Sequence, residues 1–173
     1  MWQQWTRLFR HRWQGDFVAR HVISKEALAR LTAAVEQAEA SHTGEIRIFV
    51  EAALPNSYLL SSSPMAQVVR RRAMSMFGKL HVWDTQYNNG VLIYLLLAEK
   101  RLEIVADRGL NDRVPTGTWE RLANGMGTAF KAGDFELGLT QAVHEVTCLL
   151  QAHFPLGAGQ DNPNELPNEP VLG

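Results

Sequence analysis

Residues 90–106 read GVLIYLLLAEKRLEIVA, and this stretch decides the fold. An unbroken apolar run from Val91 to Ala98 is what a central strand needs when both of its faces are buried. The polar residues Glu99, Lys100 and Arg101 then make a tight turn. Leu102 to Ala106 reads as a further strand, so the two form an antiparallel hairpin.

Working backwards, EIRIFVEA over residues 45–52 is rich in β-branched residues and reads as an earlier strand. Between it and the hairpin lie a Pro- and Ser-rich loop, PNSYLLSSSP, and a helical pattern beginning near Pro64 with Val69, Ala73, Met76, Phe77 and Leu80 facing inward. A helical crossover of this length makes the first two strands parallel. Before the first strand, Ser24 is placed to cap a helix carrying Leu28, Leu31, Val35 and Ala38. Gly44 is suited to a left-handed end of that helix. After the hairpin, Trp119, Leu122, Met126 and Phe130 mark one helix, and Phe135, Leu139, Ala142, Val146 and Leu149 another. The order is that of an α/β fold, a three-layer α/β/α sandwich around a small mixed β-sheet. The Arg70-Arg71-Arg72 run is expected on a solvated helix face, and Glu51 has no obvious partner.

The division that follows is an N-terminal amphipathic helix and linker over residues 1–23, a domain over 24–154 and an extended or disordered tail over 155–173. The tail rests on its Pro, Asn and Gly content. In the first segment Trp2, Trp5, Phe9 and Trp13 share one helical face, which suits docking on the domain core or peripheral contact of residues 1–13 with a membrane. The whole chain has 173 residues, 46% apolar and 20% charged, with a net charge of −1. This is a globular composition without the excess positive charge of a nucleic-acid binder. The single cysteine, Cys148, excludes an internal disulfide and reads as a small buried or half-buried thiol. No secretory signal is apparent, and the longest apolar run falls short of the ~20 residues that span a bilayer, so the expected location is cytoplasmic.

The topology has a chemical consequence. HTGE (42–45) precedes the first strand, WDTQYNNG (83–90) precedes the second, and DRGLNDR (107–113) follows the antiparallel third. All three loops belong at one edge of the sheet. They bring Asp84, Asn88, Asn89, Asp107 and Asp112 as hard oxygen ligands of the kind that suits calcium or magnesium, with Glu45 and Arg108 completing the polar edge. Neighbouring carboxylates also shift one another's proton affinity and serve acid–base chemistry. The other reading is structural, since Asp, Asn and Gly are the residues that turns require. Both readings stay open on the residues alone.

TGEIRIFVEAAL, then RRRAMSMFGKLHVWDTQYNNGVLIYLLLAEKRLEIVADRG, then FKAGDFELGLTQAV together resemble the TPM domain family, named for thylakoid lumen, photosystem-associated and nematode receptor-associated members. The version here looks like the bacterial branch without signal peptide or membrane helix. Thr43-Gly44, Asn89-Gly90 and Gly109-Leu110 match family positions, and Asp84 falls in its acidic turn. Asp107 and Asn111 stand where the family has glycine and glutamate. The resemblance implies an α/β/α sandwich and divalent metal binding at the sheet edge. It also implies a role near the envelope with a membrane-associated partner such as a LemA-type protein. Two functions are expected from this: a non-enzymatic module binding a divalent ion or protein partner at that edge or, alternatively, a metal-assisted phosphohydrolase resembling the acid phosphatases of the family.

Overall fold

A computed structural model describes residues 22–157 and 159–173; the expected N-terminal amphipathic helix lies outside them. Among the described residues, no helix is long and apolar enough to cross a membrane. The elements in chain order are α1 (Lys25–Glu39), β1 (Ile46–Glu51), α2 (Asn56–Leu59), α3 (Met65–Lys79), β2 (Val91–Leu96), β3 (Arg101–Ala106), α4 (Arg108–Asn111), α5 (Thr118–Gly125), α6 (Gly127–Ala132), α7 (Phe135–His153) and β4 (Val171–Leu172).

The sheet runs β3-β2-β1-β4. β1 and β2 pair in parallel from Ile46 opposite Val91 to Glu51 opposite Leu96. β2 and β3 pair antiparallel, from Val91 opposite Ala106 to Leu96 opposite Arg101. The hairpin turn is a single 3-10 turn over Leu97–Glu99 closed by Lys100 at φ 48°. β2 is fully buried along its length, as its unbroken apolarity requires. On one face Ile48, Ile93 and Ile104 pack against Leu31 and Val35 of α1 and Leu139, Val146 and Leu150 of α7. On the other, Phe49, Leu92 and Tyr94 pack against Val68, Val69, Ala73 and Met76 of α3. Each fully buried aliphatic side chain of these layers contributes about 1.5–3 kcal/mol.

Several local expectations are refined. Ser24 caps α1, its hydroxyl accepting the Ala27 N–H at 3.1 Å. Gly44, however, is no left-handed cap: α1 ends at Glu39, and Gly44 is absent from the positive-φ positions. It is glycine because a Cβ there would stand 2.4 Å from Leu150 Cδ2. The single helix expected over Trp119 to Phe130 is broken into α5 and α6 at Met126. Cys148 is exposed rather than buried, since it falls beside the apolar stripe of α7 and not in it.

The arginine run is not simply solvated. Arg70 Nη1 donates to the Ile104 carbonyl at 2.6 Å, on the outer edge of β3. Arg71 reaches Ser61 Oγ at 2.8 Å. The Arg72 side chain is 11% exposed and grips the Glu51 carboxylate through Nε at 3.1 and 3.0 Å and through Nη2. The Tyr94 hydroxyl donates to the same carboxylate at 2.5 Å. Burial, together with the Glu51 charge, raises the Tyr94 pKa, so this hydroxyl keeps its proton.

The chain beyond Pro155 is extended and laid against the sheet. Pro155 bridges to His42, and Leu166 is buried beside Val82 and Leu92. Val171–Leu172 pairs in parallel with Phe49 and Val50, adding a fourth strand to the three read from the sequence. The pairing is finished by Gly173, which exchanges hydrogen bonds with Val50 and Ala52. This strap passes close to the polar edge on its way to β1.

Candidate functional site at the polar edge of the sheet

The loops before β1 and β2 and after β3 do meet. Asn89 is fully buried and joins the first two: its Nδ2 donates to the Thr43 carbonyl at 3.0 Å and to Thr43 Oγ1 at 3.3 Å. Its backbone N–H is held by Thr85 Oγ1 at 3.1 Å. Asn88 adopts φ 52°, a conformation asparagine tolerates better than most residues, and so turns the chain towards β2. The third loop is joined to the second by three contacts. The Gly109 N–H donates to the Asn88 carbonyl at 2.8 Å, the Asp107 N–H to the Gly90 carbonyl at 2.9 Å, and the Arg108 guanidinium to Asn88 Oδ1 at 3.1 and 3.3 Å.

The expected ligands fall into three environments. Asp84 and Asp112 are exposed on the rim. Asn88 Oδ1 is engaged by Arg108. Asn89 Oδ1 and Asp107 Oδ2 are buried atoms that meet no hydrogen-bond donor. The other Asp107 oxygen caps α4 by accepting the Arg108 N–H at 2.7 Å. Among the described residues, no group of three or more His, Cys, Asp or Glu side chains is gathered in a way that could hold a metal ion. The acceptors at this edge are therefore mixed carboxylate and carboxamide.

Glu45 lies deeper than its neighbours. It is fully buried; Oε2 accepts the Leu166 N–H of the strap at 3.0 Å, and Oε1 meets no donor. Burial pushes its pKa up to about 7, with strap N–H groups at Leu166 and Glu165 opposing. Glu39, at the end of α1, is pushed up to about 8 by burial, against the Ile46 N–H it accepts at 2.8 Å. The neighbouring Arg47 sends Nη1 to the Glu169 carbonyl at 3.1 Å. His42 is fully buried, its Nδ1 facing the Gly44 N–H at 3.3 Å, and burial lowers its pKa to about 4. It is therefore neutral at pH 7.

Glu45 was expected at this edge, but Glu39, His42 and Arg47 around it and the strap were not part of the site expected from the sequence. One signal for Glu39 was present: it sits four residues after Val35, next to the apolar stripe of α1. Glu165 carried no such signal. Its carboxylate accepts the Gln86 N–H at 3.1 and 3.2 Å, which ties the strap to the WDTQYNNG loop. Between them lies a cleft of about 220 Å³ whose walls include Thr43, Tyr87, Asp161 and Glu165. Trp83 and Tyr87 project outward from this loop, 50% and 51% exposed.

Comparison with known proteins places this architecture. Residues 18–148 match the family model of the TPM domain. The structure is similar to the NMR structure of the BA42 protein from the psychrophilic bacterium Bizionia argentinensis. The identity is 31%, covering 87% of this chain and 95% of that one, at a TM-score of 0.72. It shares its fold with the N-terminal domain of a P. gingivalis protein, at 19% identity, 77% and 79% coverage and a TM-score of 0.58. No curated protein matches the chain. With the family model spanning most of its length and the α/β/α architecture in agreement, the chain belongs to the TPM domain family.

Proposed function

We propose that this TPM domain is a binding module rather than an enzyme, and that its polar sheet edge takes a divalent cation. The observation that carries this reading is the pair of buried acceptors without donors, Asn89 Oδ1 and Asp107 Oδ2, on two loops that hydrogen bonds hold together. A buried acceptor left unpaired costs about 1–3 kcal/mol, and a hard cation or its bound water removes that cost. Asp84 and Asp112 on the rim add negative charge that draws a cation in. Arg108, now on Asn88 Oδ1, is the group such an ion displaces.

The test is a titration of the protein with calcium or magnesium, followed by amide NMR. Saturable shifts at Asn88, Asn89 and Asp107, weakened by Asp107→Asn, are expected, without hydrolysis of a generic phosphate ester. Unmoved signals at all three would sink the ion. Metal-dependent hydrolysis abolished by Asp84→Ala and by Asp107→Ala would establish the phosphohydrolase alternative instead.

A second reading, docking of a protein partner at the same edge, is favoured by the exposure of Trp83 and Tyr87. Family resemblance points to a LemA-type membrane protein. Co-purification that Trp83→Ser with Tyr87→Ser abolishes would support this docking, and co-purification unaffected by the pair would refute it.

A further inference from the structure

Between the end of α1 and the strap lies a second cavity, of about 320 Å³, within the range of small-ligand sites. Its polar lining is three carboxylates, Glu36, Glu39 and Asp161, and three carboxamides, Asn162, Asn164 and Asn168; no lysine, arginine or histidine lines it. Glu39 is 6% exposed, with Oε1 on the Ile46 N–H. Asn168 Oδ1 is a buried acceptor without a donor. The cavity therefore offers acceptors, with negative charge from the exposed Glu36 and Asp161, and what complements it is a cation that donates hydrogen bonds.

Two features choose the kind of cation. Its three carboxylates do not form a group that could hold a single metal ion, so charge distributed along a molecule fits better than a point charge. The remaining lining, Ala40 and Leu156, is apolar, which suits methylene groups. We propose that this cavity binds a linear aliphatic polyamine, its ammonium groups on Glu39, Asp161 and the Asn168 carbonyl oxygen, its methylenes along Ala40 and Leu156. Each ammonium brings three donors, and the Asn168 oxygen lacks one. The site is separate from the cation site proposed for Asn89 and Asp107, and either can fail without the other.

Binding also carries a proton signature. Burial holds the Glu39 pKa at about 8, with Glu36 on its own helix, Glu45 just before β1 and Arg47 on β1 acting on the same carboxyl. An ammonium group beside it favours the ionised form, so binding at pH 7 releases a proton.

The experiment is isothermal titration of the full chain with spermidine and with putrescine at pH 7, repeated in buffers of different ionisation enthalpy. Saturable one-to-one binding with proton release is expected. Asp161→Asn and Glu39→Gln should each weaken it about tenfold through loss of one charge-assisted contact. Asp161 is exposed, so its substitution decides the matter even if the Glu39 variant folds poorly. Absence of saturable heat up to about 1 mM polyamine, weaker than any specific site would be, overturns the proposal. So does affinity that Asp161→Asn leaves unchanged, or magnesium binding at these residues that excludes the polyamine at equal concentration.

Discussion

Asn89 reaches across the sheet edge to donate its carboxamide N–H to the Thr43 carbonyl at 3.0 Å, so the starts of β1 and β2 are joined by a side chain as well as by the strand ladder. Replacing it with alanine removes this donor from the part-buried Thr43 carbonyl. Asn89→Ala should lower unfolding free energy by about 1–3 kcal/mol in a urea titration. The added amide exchange should concentrate in residues 42–45 and 85–90.

Two glycines of the same edge should differ in tolerance. A Cβ at Gly90 would stand 2.0 Å from the Val82 carbonyl oxygen, which is backbone and cannot step aside. A Cβ at Gly44 would meet mainly Leu150 Cδ2, the end of a side chain that can rotate. Gly90→Ala should cost as much as or more than the roughly 1–3 kcal/mol usual for overpacking, and Gly44→Ala should stay within it. Thermal melting of the two variants side by side checks the ranking.

The Glu51–Arg72 pair is buried at the opposite end of β1. Arg72→Met or Glu51→Gln alone leaves a buried charge without its partner, and each should cost about 3–5 kcal/mol. The double variant should cost clearly less than the sum of the two. Additive losses in a double-mutant cycle would mean that the pair is not coupled.

Stability should fall as pH rises from 6.5 to 8. Glu39 and Glu45 have folded pKa values raised to about 8 and 7, above the ordinary 4.5, so the folded state binds more protons than the unfolded one over this range. Their contribution is complete below pH 4.5 and is lost as pH rises through the folded values. His42 works the other way. Lowered to about 4 from 6.5, it contributes stability present above pH 6.5 and lost as pH falls towards 4, and so adds no slope above 6.5. Melting temperatures at pH 6.5, 7 and 8 should therefore decline for the natural chain and decline less for Glu39→Gln. An equal slope in both would refute the assignment to Glu39.

The layers and the meeting of three loops were legible because they rest on periodicity and chain direction: an eight-residue apolar run, a short polar turn and a crossover helix leave little freedom in topology. What Asn89 does was only half legible. Its polarity marked a turn or a site, and the structure shows a buried stitch with one acceptor to spare. The strap was not legible as a packed element, because Pro, Asn and Gly give no period. It is held by Leu166, by backbone pairing and by contacts more than a hundred residues apart in sequence. Arg72 and Glu51 were each read alone, since nothing local to either residue shows that α3 lays one over the other.

The contact between Arg70 and the Ile104 carbonyl also bears on solubility. β3 is the outermost strand on its side of the sheet, and β4 closes the other side with only two residues. A free strand edge invites another molecule to add its own strand, and repetition of that step builds aggregates. Here one border carries a guanidinium on its carbonyl and the other ends in a two-residue strand, so neither offers a long, flat template for lateral growth.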